Sequence, residues 1–81
     1  MWEAKVAPGA VEDTVDWLRE EVVPDALSRP GCREAEAFVD AAGERVVVIS
    51  RWEDEALSDW QPGKPHRRLL VRSHTWPFLP V

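Results

Sequence analysis

The sequence predicts an α+β domain: a ferredoxin-like split βαβ sheet, in the order βαββαβ, with its helices on one face. Three observations predict it. Val46–Ile49 is a short, continuous, largely β-branched apolar run, which reads as a strand buried on both faces. Val11, Val15, Leu18 and Val22 recur at spacings of four, three and four, forming one apolar helical stripe. Pro–Gly pairs at Pro8-Gly9, Pro30-Gly31 and Pro62-Gly63 punctuate the chain between such segments.

Each element follows in order. Trp2, Ala4 and Val6 alternate with Glu3 and Lys5, which suits a first strand ended by Pro8-Gly9. The helix that follows has Glu12, Asp13 and Asp16 near its start, where carboxylates suit the positive end of its dipole. Pro24 lacks a backbone donor, so a kink is expected near Glu20–Val23, with the helix resuming to about Ser28. Cys32–Asp40 mixes Phe38 and Val39 with Glu34 and Glu36 and suits an edge strand. Asp40 to Glu44 has turn chemistry and makes a hairpin into the central strand, Arg45–Trp52. Glu53-Asp54-Glu55 then opens a second helix through Ala56, Leu57 and Trp60, cut short at Gln61-Pro62-Gly63. Arg68 to Trp76 reads as a final edge strand or, since Pro65 suits a first helical position, as a further helical turn; the edge strand is favoured.

Right-handed crossovers put the first and third strands at the centre of this sheet and both helices on one face. The other face is left bare. A second copy is the expected cover, so the chain is expected to be a homodimer.

At 81 residues the chain is a single domain, 1–81, of a size at which one core is marginal. Cys32 is the only cysteine, which excludes an intrachain disulfide and a cysteine-rich zinc framework. Without a signal peptide behind Met1-Trp2-Glu3, the expected location is the reducing cytoplasm, and no apolar run is long enough to span a bilayer. The net charge of −5 disfavours nucleic acid as a partner. That charge is uneven. Residues 1–60 hold all 15 acidic and six basic residues, whereas residues 61–81 carry +4 from Lys64, Arg67, Arg68 and Arg72. Either this keeps the protein soluble or it marks a local anion site.

Four stretches, in this order, carry a resemblance: Val6-Ala7-Pro8-Gly9, Trp17-Leu18, Pro30-Gly31-Cys32 and Val48-Ile49-Ser50-Arg51-Trp52-Glu53. Over residues 1–60 the chain resembles the antibiotic-biosynthesis-monooxygenase-type domains of the dimeric α/β-barrel superfamily. The resemblance implies two sheets closed face to face into a barrel, with a small-molecule pocket between helices and sheet in each subunit. It further implies a small aromatic substrate and, as activity, cofactor-independent oxygenation of phenolic or quinol compounds. Residues 61–81 depart from the pattern and are shortened. The family also contains haem-degrading enzymes that use an Asn, His and Trp set; this chain has no asparagine, which disfavours haem.

Oxygenation without a cofactor needs a base, a group to hold the substrate anion and aromatic walls that exclude water. His66 and His74 are the only histidines and therefore the candidate bases. On a strand, Arg72, His74 and Trp76 point the same way, placing base, anion holder and stacking wall together. Trp17, off the helical stripe, and Trp60 are candidate pocket walls, although tryptophan more often packs cores and interfaces. Trp52 is expected to seat the second helix, and Arg51, opposite it, to form a surface or interface ion pair rather than hold an anion. Cys32 is expected to be buried and inert. Two histidines are too few for a metal site, and the glycines form neither a dinucleotide fingerprint nor a phosphate loop, so no metal or cofactor is expected. The rival to the oxygenase is a non-catalytic ligand-binding or interaction dimer of the same fold. A pocket of a few hundred cubic ångströms between helices and sheet, with His74 or His66 facing it, favours the enzyme; a closed space filled by side chains favours the rival.

Overall fold

The computed structural model describes residues 1–54, 59–65 and 68–76. They form a four-stranded antiparallel sheet with a helix on one face. The strands are β1 (Trp2–Val6), β2 (Cys32–Val39), β3 (Arg45–Trp52) and β4 (Leu70–Thr75), in the spatial order β2-β3-β1-β4. The first and third strands are therefore central and the second and fourth are edges, as the crossover rule requires. Of the expected second helix, from Glu53 through Trp60, residues 55–58 lie outside the described residues; Glu53 and Asp54 form a bend and Trp60 is not helical.

Turn chemistry sets the path of the chain. Pro8 and Gly9 are the central residues of a turn closed by the Ala10 N–H donating to the Ala7 carbonyl at 3.0 Å. Gly9 supplies the positive φ of 77° that such a turn demands of its third residue. Pro30-Gly31 repeats the device, with Gly31 at φ 85° and the Cys32 N–H donating to Arg29 O at 3.2 Å. In the β2–β3 hairpin, Asp40 Oδ1 accepts the N–H groups of Glu44 at 2.8 Å and Arg45 at 3.1 Å. These donors, Arg45 first, hold the Asp40 carboxyl below its ordinary pKa.

The helix runs as α1 (Val11–Trp17), a π-helical turn (Leu18–Val22) and α2 (Val23–Ser28). Its buried positions include Thr14, Leu18, Val22 and Ala26, each four residues after the last. Four residues of an α-helix overshoot a full turn by about 40°, so three such steps would carry Ala26 about 120° off the core. The wider π turn takes up that excess. It also accommodates Pro24: the Val23 N–H reaches back to Leu18 O, and Pro24 enters near the start of α2, where its missing donor costs little. The kink expected near Glu20–Val23 is thus a π turn at Leu18–Val22.

The expected stripe shifts accordingly. Val11 and Val15 are only half-buried, whereas Thr14 and Trp17 are buried. Thr14 enters the core because its hydroxyl donates to Ala10 O at 2.7 Å, which satisfies the polar group locally. Trp17, placed off the stripe by the α-helical period, packs edge-on against Trp2 with ring centroids 6.1 Å apart. Trp2, Ala4 and Val6 of β1 meet Val46 and Val48 of β3 beneath Leu18 and Val22.

The central strand has only one of the two covers its sequence asks for. Val46 and Val48 are fully buried under the helix, but Val47 is half-buried and Ile49 is 39% exposed on the opposite face. Register fixes what else lies on that open face. Val47 pairs with Glu3 and Phe38, Glu3 with His74, Ile49 with Glu36, and Lys5 with both Arg45 and Arg72.

Candidate functional site

Among the concavities of the described residues, two stand on opposite faces of the sheet. The first is a wedge of about 230 Å³ between the helix and the β2 edge. Val15, Leu18, Arg19 and Val23 form its helical wall, and Ala37 and Val39 its strand wall. At its open end Val39 is 45% exposed although it pairs with buried Val46. Its lining is apolar apart from Arg19. Among the described residues no histidine lines it, and His74 stands on the opposite face of the sheet.

The second is a groove of about 300 Å³ on the open face, lined by the side chains of Glu3, Lys5, Arg45, Arg72 and His74. Strand alternation and register bring these residues together. Lys5 sits directly between Arg45 on β3 and Arg72 on β4, so three cations line up across three neighbouring strands. Arg45 Nη1 donates to Glu3 Oε1 at 2.8 Å. Among the described residues no carboxylate forms an ion pair with Lys5 or Arg72.

Arg72, His74 and Trp76 share this open face. The His74 and Trp76 rings lie 5.0 Å apart, tilted by 38°. The Trp76 N–H donates to Met1 O at 2.9 Å and the Met1 ammonium donates to Trp76 O at 2.6 Å, which extends the β1–β4 pairing by one residue. Burial lowers the pKa of that ammonium.

The other candidates stand elsewhere. Trp17 is in the core on the helix side. Trp60 is half-buried against Trp52, 6.2 Å between centroids, and its Nε1–H donates to Asp25 Oδ2 at 3.3 Å. That contact ties the segment after β3 to α2. His66 lies outside the described residues. Arg51 pairs with Glu34 at 3.3 Å, the expected surface ion pair. Cys32 is half-buried rather than buried, because it opens the edge strand; burial nevertheless pushes its thiol pKa up, and its Sγ–H donates to Glu34 O at 3.5 Å. A thiol so held is a poor nucleophile.

Lys5 and Arg45 were not singled out by the sequence. The alternation around Trp2, Ala4 and Val6 does turn Lys5 outward, but its alignment with Arg45 and Arg72 depends on strand register. Among the described residues no three metal-ligating side chains converge, and no helix is long and apolar enough to cross a membrane.

A split βαβ sheet with one helical layer and a bare, partly apolar second face defines the ferredoxin-like α+β class. Within it the chain belongs to the antibiotic biosynthesis monooxygenase family, whose sequence model matches residues 1–69. No curated protein and no solved structure matches it.

Proposed function

We propose that the protein is a small-molecule-binding homodimer that oxygenates phenolic or quinol aromatics without a cofactor, with the open face as its reaction surface. The observation that carries this reading is the pairing of the His74 and Trp76 rings at 5.0 Å on the face that also presents Arg72. His74 takes the phenolic proton, Arg72 holds the phenolate, and Trp76 stacks on the ring. The phenolate gives one electron to dioxygen, and the resulting radical and superoxide join through a new C–O bond. Loss of the ring proton and cleavage of the O–O bond then leave a quinone. One oxygen atom stays in the product. The other leaves as water, carrying the phenolic and ring hydrogens, so no outside reductant is required. A second copy laid over Val47 and Ile49 excludes water from this surface and completes the homodimer.

Dissolved-oxygen uptake with hydroxynaphthalenes and hydroquinones tests the reading. Uptake should exceed the uncatalysed rate and fall roughly 100-fold in His74→Ala. His66→Ala, run beside it, should fall less. Uptake no faster than in buffer across the panel rejects the oxygenase.

A second reading, a ligand-binding dimer without turnover, is favoured by one observation. The apolar wedge beside α1 has walls for a small aromatic but, among the described residues, no histidine to act as base. It predicts saturable binding with no uptake.

A further inference from the structure

We propose that the row Arg45–Lys5–Arg72 is an oxyanion site, and that the aromatic ligand of this protein carries an acidic group, such as a carboxylate, besides its phenol. The inference deepens the proposed function and rests on its assignment of the open face. It concerns Lys5 and Arg45, to which that reading gives no task, and it names a substrate class.

The row is anomalous on three counts. Like charges placed directly opposite one another across strands repel and destabilise the sheet, yet Lys5 faces a guanidinium on each side. The protein is acidic overall, at −5, yet three of its ten Lys and Arg residues stand in one line. Only one of the three has an ion-pair partner among the described residues, Arg45 with Glu3. Counting Glu3, the groove keeps a surplus of two positive charges at its floor.

Geometry makes the surplus useful. The groove, at about 300 Å³, has room for a single-ring compound. His74 borders its far side next to Glu3, and Trp76 lies beyond His74. A ring held over His74 and Trp76, with its phenol at His74 and Arg72, therefore directs a substituent at Lys5 and Arg45, whose planar fork suits a carboxylate. The phenol and the acid group then occupy opposite ends of one ligand, with Arg72 at the phenol end of the row. The alternative occupant of the row is acidic side chains of a second copy, with Glu34 and Glu36 on β2 presented on the same face.

Calorimetric titration of the full chain with 4-hydroxybenzoate and with neutral, similarly shaped 4-hydroxybenzamide decides the matter. The acid should bind about tenfold or more tightly than the amide, and the preference should shrink as salt is raised. Lys5→Gln should weaken the acid about tenfold while leaving the amide unchanged, whereas Arg72→Gln, which also removes the phenolate holder, should weaken both and the acid more. Both variants should also melt at a higher temperature than the parent without ligand, because each relieves repulsion; a residue kept for stability would move the melt the other way. Equal affinity for acid and amide, no binding of either at millimolar concentration, or a preference intact in both variants overturns the proposal. So does loss of dimer in Arg72→Gln with acid binding unchanged, which would give the row to the second copy. Acid preference without oxygen uptake would reject the oxygenase and keep the anion site; uptake without acid preference would do the reverse.

Discussion

Val48→Asp should leave no folded protein at neutral pH, while its neighbour Val47→Asp should fold and fail to dimerise. The two residues are adjacent on one strand but serve different surfaces. Val48 is fully buried, paired with Trp2 on the helix side. A carboxylate there has no described partner, and its burial costs about 4 kcal/mol or more, against about 4–12 kcal/mol of total stability for a domain this size. The new carboxyl would have its folded pKa raised by burial above the unfolded value near 4. The folded state then holds its proton more tightly, so the variant is least destabilised below about pH 4 and loses further stability as pH rises. Val47 faces the open side and is only half-buried in one chain, so a charge there is tolerated until a second copy covers it. Urea melts followed by circular dichroism read the first effect and light scattering the second. A folded Val48→Asp would mean the core is not organised on β3; a dimeric Val47→Asp would mean the copies do not meet through this face.

Trp17→Ala should be the next most damaging change. Removing a buried tryptophan costs about 3–5 kcal/mol, and here it also removes the edge-on contact with Trp2, itself worth about 0.5–1.5 kcal/mol. The sum approaches the lower bound of the domain's stability, so a urea melt should show little or no folded baseline. Trp17→Phe, which keeps a ring against Trp2, should restore a cooperative transition. The experiment separates two roles. A tryptophan that served as a ligand wall would be replaced with stability largely intact and binding lost.

Most of the fold was legible because its signals are local. Alternation around Ala4 marked β1, two Pro–Gly turns bounded the helix, and the apolar run at Val46–Ile49 marked the central strand. The resemblance over residues 1–60 is matched by membership of the family across 1–69. The shared face of Arg72, His74 and Trp76 also followed from alternation, because β4 proved to be a strand. What was not legible depended on geometry between elements. Trp17 was misplaced because a stripe drawn with an α-helical period does not foresee a π turn one residue later. The line of Arg45, Lys5 and Arg72 needed the register of three strands, and Cys32 needed the knowledge that it opens a strand at the edge of the sheet.

The π turn has an evolutionary corollary. A helix that closes five residues where four would do contains one more than its path requires, and Arg19, Glu20 and Glu21 within it are all exposed. Deleting any one of them would bring the buried set to spacings of four, three and four, the natural rhythm of an unbroken α-helix. The same deletion in β3 would turn every following side chain to the wrong face. Length variation among relatives should therefore be forgiven in this helix and purged from the central strand, and a Glu20 deletion variant that still melts cooperatively would be its laboratory counterpart.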